Sequence, residues 1–191
     1  MVNIKGTKTE KELLKAFAGE SQARTRYYLF AQKAREEGYE KIAAIFEETA
    51  MNEREHAKRF FSYLEGGMTE ITASFPAGKV GTTAENLKAA AEGENEEHTE
   101  LYPNAAEIAK EEGFTEISTL FTKVAEVEQH HEKRYLELMK KVKNNEIFKK
   151  ESETEWKCMN CGYIHKGKKP PAKCPTCRYP KSYFEVLCEK F

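Results

Sequence analysis

Two short patterns of glutamate and histidine could do metal chemistry. They are Glu53-Arg-Glu-His56 and Glu128-Gln-His-His131. A spacing of three residues puts a carboxylate and an imidazole one turn apart on the same face of a helix. Two such patterns, joined by one glutamate from each of two other helices, form the ligand set of di-iron carboxylate bundles. Glu20 and Glu94 are the single glutamates in this interpretation.

Four cysteines near the end of the chain form a second pattern. Cys158 and Cys161 make one CxxC hook, and Cys174 and Cys177 make another. Paired hooks bind one metal tetrahedrally through four thiolates, and the spacing leaves zinc and iron both open. A di-iron bundle needs electrons, so we expect iron here, with zinc able to substitute. The fifth cysteine, Cys188, is predicted to be a packing residue in a short strand.

Charge divides the chain of 191 residues into two modules. The formal net charge is only −1, which gives no reason to expect nucleic acid as the main partner. From Trp156 to the end, seven Lys and one Arg stand against two Glu, giving +6 and leaving −7 for residues 1–155. The basic tail is too short for an apolar core and needs a metal to hold it together. We therefore predict one domain over 1–146 and another over 147–191.

Hydropathy indicates where the protein acts. The mean hydropathy is −0.76, and every apolar run is far shorter than a membrane span requires. The first residues contain no apolar signal core, so we expect a cytoplasmic protein without membrane contact. Thiols stay reduced in that compartment, which favours metal ligands over disulfides. All 32 acidic residues are glutamates, and this choice favours helices.

The part of the chain before the polar junction predicts four long helices. Capping boxes at Thr7 and Thr82 begin the first and the third, and glycines end them. Short joints make antiparallel neighbours, whereas the long connection after the second helix crosses the bundle, as in ferritin-like folds. Pro103 is expected to kink the third helix or to free a carbonyl. The predicted spans are Thr7–Gly38, Tyr39–Gly67, Thr82–Gly113 and 114–143.

The two halves of this helical region repeat each other. Glu53 matches Glu128 and His56 matches His131 at an offset of 75, whereas Glu20 matches Glu94 and Tyr28 matches Tyr102 at an offset of 74. One inserted residue therefore separates the two registers. The repeat predicts an approximate two-fold axis, on which a metal pair would receive equivalent ligands from each half.

Glu97 breaks this symmetry, because its matching position in the first half is Ala23. Steps of three and four put Glu97 and Leu101 on the same apolar face as Glu94. Unpaired buried carboxylates cost several kcal/mol each, so metal cations are expected to neutralise the acids that face the core. The polar residues predicted on the inner faces are Glu20, Glu53, His56, Glu94, Glu97, Glu128 and His131.

The whole chain resembles the rubrerythrin family. The stretches that carry the resemblance are Ala16-Phe-Ala-Gly-Glu-Ser-Gln-Ala-Arg24, Glu53-Arg-Glu-His-Ala-Lys-Arg59, Phe75-Pro-Ala-Gly78 and Cys158-Met-Asn-Cys-Gly-Tyr163. The resemblance implies a mainly α fold: a ferritin-like four-helix bundle with a long crossover, then a small rubredoxin-like, four-cysteine metal domain of short β-strands. It also implies a non-haem di-iron peroxidase that reduces hydrogen peroxide to water in oxidative-stress defence.

The resemblance further assigns roles. Glu53 and Glu128 would bridge the two irons, Glu20 and Glu94 would be terminal ligands, and His131 would bind the second iron. His56 and Glu97 would be alternative ligands of the first iron, exchanged as it changes oxidation state. Tyr27 and Tyr102 would hydrogen-bond the ligand carboxylates. The residues implied to act in catalysis are Glu97, His56, Tyr27 and Tyr102.

The implied partners are hydrogen peroxide and an electron-donor protein. That donor, a rubredoxin or a reductase carrying electrons from NAD(P)H, would feed the Fe(Cys)4 centre, and the tail's positive charge suits an acidic donor. A head-to-tail homodimer, or a larger assembly, is expected. Two alternatives stay open: a ferroxidase or iron-storage protein with the same ligand set, and a zinc-ribbon interaction protein on a helical scaffold.

Overall fold

The first helical hairpin begins and turns at the predicted residues. A computed structural model describes residues 3–188, and in it α1 covers Lys8–Glu36 and α2 covers Glu40–Phe61. The side chain of Thr7 accepts the N–H of Glu10 and so caps α1. Gly38 turns the chain back with a φ of 80°, a backbone conformation that favours glycine.

The second hairpin contains three α-helices and one π segment. They are α3 (Thr83–Glu96), the π segment (Glu97–Leu101), α4 (Tyr102–Glu111) and α5 (Thr115–Lys143). Thr82 and Glu85 form the predicted capping box, each bonding the other's backbone N–H. Each hairpin packs as an antiparallel pair, and the ferritin-like four-helix bundle with its long crossover is confirmed.

The π segment replaces the kink that Pro103 was expected to cause in a continuous third helix. The N–H of Tyr102 bonds the carbonyl of Glu97, five residues back. Pro103 has no N–H and cannot close the usual bond to Thr99, so the wider turn fits there. The extra residue also rotates the helix face. The prediction that Leu101 faces the core is therefore wrong, since its side chain is 48% exposed.

The second helix ends earlier than predicted, at Phe61 rather than at the glycine pair 66–67. The hydroxyl of Ser62 donates to the carbonyl of Arg59 and competes with the helical backbone. Beyond it, the hydroxyl of Tyr63 donates to Glu116 on α5 at 2.6 Å. The crossover, residues 62–82, then runs without regular structure to the start of α3.

Two apolar clusters fill the bundle on either side of its middle. One contains Tyr27, Phe46 and Tyr135, and the other contains Phe60 and Phe121 with their neighbours. Buried glutamates lie between the two clusters. The bundle therefore encloses a polar centre between two apolar layers.

The tail folds as a small three-stranded sheet. Its strands are β1 (Thr154–Cys158), β2 (Ile164–Gly167) and β3 (Phe184–Val186), antiparallel in the order β2-β1-β3. Trp156 is fully buried, and its indole N–H donates to the carbonyl of Gly167 at 2.8 Å. The predicted small domain of short β-strands is thus confirmed. Cys188 was predicted to pack within the last strand; this is wrong, because β3 ends at Val186 and Cys188 is exposed.

The small domain contacts the turn between α1 and α2. The ammonium of Lys41 lies 2.7 Å from the carboxylate of Glu185, and the ring of Phe148 stacks on Tyr39 with centroids 6.1 Å apart. The domain that carries the four cysteines therefore lies at the end of the bundle where α1 turns into α2. Among residues 3–188, no helix is both long and apolar enough to cross a membrane.

Candidate functional site

Six side chains from helices α1, α2, α3 and α5 converge at the centre of the bundle. They form two groups in which the ligand atoms lie within 4.8 Å of one another. Glu53 and Glu128 belong to both groups, so the two groups share a pair of carboxylates. The groups are Glu20, Glu53, His56 and Glu128, and Glu53, Glu94, Glu128 and His131. We call these six residues the central cluster.

The two histidines approach the shared carboxylates in the same way. The Nδ1 atom of His131 lies 2.7 Å from Glu128 Oε2 and 3.4 Å from Glu53 Oε1. The Nδ1 atom of His56 lies 2.9 Å from Glu128 Oε1 and 3.0 Å from Glu53 Oε2. Each imidazole therefore faces one oxygen of each shared carboxylate, as the two-fold repeat predicts.

Although the imidazoles approach the carboxylates closely, many of these atoms are buried without a well-aligned hydrogen bond inside the described part of the chain. They include oxygens of Glu20, Glu53, Glu94 and Glu128, and the Nδ1 of His131. A buried polar group without a partner costs about 1–3 kcal/mol, and more when it is charged. Carboxylate and imidazole donors that converge around two points fit a pair of iron ions, which would satisfy all of them. The arrangement fits the ligand set of a di-iron carboxylate site.

The electrostatics of the central cluster favour cation binding. Burial and the charge of Glu53 raise the pKa of Glu94 to about 8. Burial also raises the pKa of Glu20. Burial works against the ionised form of Glu53 too, yet the imidazoles of His131 and His56 lower its pKa to about 2. The imidazoles therefore supply positive charge to these acids, and added cations would balance the remaining buried carboxylates.

Two buried tyrosines donate hydrogen bonds to the outer carboxylates, which are those of Glu20 and Glu94, the two glutamates that belong to only one group each. Each half of the bundle supplies the tyrosine for the glutamate of the other half. The hydroxyl of Tyr27 on α1 donates to Glu94 Oε1 on α3 at 2.6 Å, and the hydroxyl of Tyr102 on α4 donates to Glu20 Oε1 on α1. Tyr28 was matched with Tyr102 in the repeat, and this is wrong, since its hydroxyl meets the sulfur of Met51. Tyr27 is the true counterpart, at an offset of 75.

This pairing locates the inserted residue of the second half. The offset is 74 at Glu94 and 75 at Tyr102, so the insertion lies between them. The π segment occupies that interval. A π segment is what one extra residue makes of an α-helix, so the insertion and the irregular turn are the same feature.

Glu97 opens the π segment and lies beside the central cluster rather than within it. It belongs to neither group of converging ligand atoms. Burial raises the pKa of Glu97, and the charge of Glu20 adds to this more than that of Glu94. Glu97 and Tyr102 also line a cavity of about 290 Å³ under the crossover. Its role as an exchangeable ligand stays a prediction.

One polar contact near the site was not anticipated. The Nε2 atom of His98 lies 2.8 Å from Glu132 Oε2, and the amide of Asn95 donates to Glu132 Oε1 at 2.9 Å. These contacts join α3 and the π segment to α5, next to His131. The sequence offers only a weak signal for them, the spacing of three between Asn95 and His98 on the helix that carries Glu94.

The four cysteines of the tail form a metal site of tetrahedral size. The Sγ atoms of Cys158 and Cys177 are 3.7 Å apart, and those of Cys161 and Cys174 are 3.6 Å apart. A tetrahedron with metal–sulfur bonds of ~2.3 Å has edges of about 3.8 Å. The thiols are free, and these distances are far beyond the ~2.05 Å of a disulfide. The site therefore fits a single metal ion.

The backbone after each hook adopts the same conformation. Gly162 has a φ of 78° and bonds the carbonyl of Cys158, and Arg178 has a φ of 66° and bonds the carbonyl of Cys174. Glycine adopts this conformation readily, and Arg178 shows that a large residue adopts it after the second hook. The N–H of the following Tyr179 lowers the pKa of Cys177 to about 6, which favours a thiolate ligand.

Comparisons with known proteins cover both domains. The family described as rubrerythrin matches residues 11–139, and the rubrerythrin, rubredoxin-like domain matches residues 156–185. Rubrerythrin of Porphyromonas gingivalis is 61% identical over 97% of this chain and 92% of its own length. Rubrerythrin of Nitratidesulfovibrio vulgaris is 51% identical over 98% of each chain.

Solved structures show the same arrangement. The fully reduced, all-ferrous state of nigerythrin matches with a TM-score of 0.64 and 33% identity, over 96% of this chain and 91% of that one. The bacterioferritin of Desulfovibrio desulfuricans, solved with its di-iron site in different catalytic states, matches with a TM-score of 0.63 and 26% identity. That match covers 73% of this chain and 82% of the bacterioferritin, and it concerns the bundle.

Proposed function

The chain belongs to the rubrerythrin family of oxidoreductases, and from this premise we propose that it reduces hydrogen peroxide to water. The observation that carries the proposal is the pairing of two sites in one chain. One is the candidate di-iron carboxylate site in the bundle, whose two ligand groups share Glu53 and Glu128. The other is the four-cysteine site in the tail. A storage protein needs no returning electrons, whereas a peroxidase needs them for every turnover.

Some of the site residues would bind the metal pair, and others orient the residues that bind it. Glu53 and Glu128 would hold both ions, while Glu20 with His56 and Glu94 with His131 would each hold one. When bound and reduced, the iron pair supplies the two electrons that cleave an O–O bond. Tyr27 and Tyr102 fix the orientation of the outer carboxylates, because each donates a hydrogen bond to one of their oxygens.

Glu97 is the residue that we propose carries protons. Reduction of hydrogen peroxide to two waters consumes two protons, so a carboxyl must reach the reacting oxygens. Glu97 lies beside the central cluster and opens onto the cavity, where it can exchange with solvent. A general acid at this place needs only to reach the leaving oxygen. Its proposed exchange with His56 as a ligand would move the carboxyl towards the metal.

Electron return is proposed to pass between chains. The small domain contacts the bundle at Lys41, and twelve residues of α2 separate Lys41 from Glu53. At ~1.5 Å per residue this is about 18 Å of helix. A partner chain in a head-to-tail dimer can bring its four cysteines closer to the side of the central cluster. In such a dimer, the docked relay domain of one chain would serve the bundle of the other.

The proposed donor is an acidic redox protein of the cytoplasm. Cys161 is exposed, and its tail carries a net charge of +6 before the charge of the metal-bound thiolates is counted. Oppositely charged surfaces speed encounter between redox partners, and salt weakens the effect. A rubredoxin or a reductase that takes electrons from NAD(P)H would fit this surface.

The test follows the metal and the peroxide together. Iron-loaded protein is reduced without oxygen, mixed with one hydrogen peroxide per iron pair, and followed by its visible spectrum. We expect iron in both sites and rapid oxidation of the bundle iron, followed by the return of thiolate-to-iron bands. Protein with zinc in the bundle is the control and should consume no peroxide. Oxidation no faster than by oxygen, with ferric mineral and a many-subunit shell, would instead favour the ferroxidase function.

A further inference from the structure

The cavity under the crossover leads from the surface towards the central cluster. Glu97 and Tyr102 form its inner wall, and Tyr102 is only 3% exposed. Phe75 of the crossover and Leu101 of the π segment line its outer part, where they are 42% and 48% exposed. Because Tyr102 donates to Glu20, the inner wall is continuous with the proposed di-iron site.

The cavity is far larger than hydrogen peroxide requires. Its volume is about 290 Å³. A dry cavity of about 150 Å³ is enough to bind benzene. Twice that volume accommodates a benzene ring with a branched carbon attached. Substrate pockets of small molecules begin at about this size.

The lining of the cavity suits an apolar group. Ala16, Ala105 and Phe121 form part of its wall together with Phe75 and Leu101. Charged residues lie there too: the ammonium of Lys15 pairs with Glu12 at 2.8 Å, and the guanidinium of Arg26 lies over the ring of Tyr27 at 5.8 Å from its centroid. Glu97 lines the cavity and lies beside the central cluster, so it connects the two.

We propose that this cavity holds the organic group of an alkyl hydroperoxide, and that the chain reduces such compounds as well as hydrogen peroxide. The inference rests on the proposed peroxidase function. The hydroperoxide ROOH takes up two electrons and two protons, its O–O bond breaks, and ROH and water leave. When bound and reduced, an iron pair held by the central cluster would supply the two electrons, and the donor protein would replace them. The group R stays in the cavity while the peroxide oxygens reach past Glu97.

A series of three peroxides tests the proposal in the iron-loaded protein. Hydrogen peroxide, tert-butyl hydroperoxide and cumene hydroperoxide are compared by kcat/KM with one protein donor. Ala16→Leu adds three carbons to a residue of the wall that is 8% exposed. It should lower kcat/KM for cumene hydroperoxide about tenfold or more relative to tert-butyl hydroperoxide, since a few carbons in an apolar pocket discriminate by that order. Ala125→Leu makes the same change in the same apolar cluster away from the cavity, and should leave this ratio unchanged.

Binding gives a second measurement that does not depend on turnover. The product alcohol of cumene hydroperoxide, 2-phenyl-2-propanol, is titrated into the oxidised iron-loaded protein by calorimetry. Wild-type protein should bind it, and Ala16→Leu should weaken binding about tenfold. Phe75→Ala, at an exposed position that tolerates change, should also weaken binding, whereas Val80→Ala on the same crossover should not.

The outcomes separate the two proposals. If hydrogen peroxide itself is not reduced, the peroxidase function fails. If hydrogen peroxide is reduced but cumene hydroperoxide is not, and the alcohol does not bind, the cavity proposal is overturned. The same holds if Ala16→Leu and Ala125→Leu affect cumene hydroperoxide equally, because the organic group then lies elsewhere.

Discussion

Three buried tyrosines allow the same substitution to be made with and without the loss of a hydrogen bond. Tyr27 and Tyr102 each donate to an outer carboxylate of the central cluster. The hydroxyl of Tyr135 is fully buried beside Thr49, and it makes no well-aligned hydrogen bond within residues 3–188. Replacing each by phenylalanine removes one oxygen from an equally buried ring. Tyr135→Phe is therefore the matched control for the other two.

The expected loss of stability depends on which polar atom loses its hydrogen-bond partner when the hydroxyl is removed. Tyr27→Phe leaves a buried oxygen of Glu94 without its donor, and Tyr102→Phe does the same to Glu20. Such a loss costs about 2 kcal/mol. In a chain of this size about 2 kcal/mol corresponds to a fall in Tm of about 4–8 °C. Tyr135→Phe removes an unpaired polar group and should change Tm by no more than about 1–2 °C, in either direction.

Iron affinity is a second measurement, and it should not change if the tyrosines act only in packing. Loss of a partner that orients a ligand typically lowers metal affinity about 10–100-fold. We expect this loss for Tyr27→Phe and Tyr102→Phe and not for Tyr135→Phe, in competition titrations against a chelator. Thermal unfolding is compared at equal metal loading, because bound metal itself raises Tm. Equal effects from all three substitutions would refute the reasoning, since the tyrosines would then act only as packing residues.

Three further predictions concern the two sites. Cys161→Ser should abolish the thiolate-to-iron bands and slow steady-state turnover while sparing one-turnover oxidation of the bundle iron; unchanged turnover would remove the relay role. Glu97→Ala should lower peroxidase activity more than iron content, and an equal loss of both would make Glu97 an ordinary ligand. Rising ionic strength should slow turnover with an acidic protein donor, because salt screens its attraction to the tail; a rate independent of salt would leave the tail as a solvated lysine-rich surface.

The positions of the central cluster could be predicted because they depend on local geometry and on repetition. Glu53 with His56 and Glu128 with His131 share a helix face whatever the rest of the fold does. The repeat then identifies Glu20 and Glu94 as the equivalent single glutamates. The capping box at Thr82 likewise depends only on neighbouring residues, and it is present. The box predicted at Thr7 is incomplete: Thr7 caps the helix, but the carboxylate of Glu10 accepts from the N–H of Gly6.

The features that could not be predicted depend on how helices pack or on a change of helical period. A regular helical pattern put Leu101 on the inner face and matched Tyr28 with Tyr102. The π segment changes both assignments at once. Two signals pointed there, namely the shift of the repeat offset and Pro103, but neither says where in the interval the extra residue falls. The contact of His98 with Glu132 joins residues far apart in sequence, which no local pattern specifies.

The inserted residue explains why a duplicated site is not symmetric. Without it, α3 and α4 would form one helix like α1, and Glu97 would correspond to Ala23 on a regular face. The π segment has poorer hydrogen-bond geometry and buries no side chain fully, so it weakens the helix where it occurs. The same segment places the carboxyl of Glu97 at the edge of the central cluster, next to the cavity. The two metal positions would then differ in what lies beside them, because the charge of Glu97 interacts more strongly with Glu20 than with Glu94. A substrate that enters through the cavity therefore meets one particular side of the metal pair, where the proposed proton carrier is already in place.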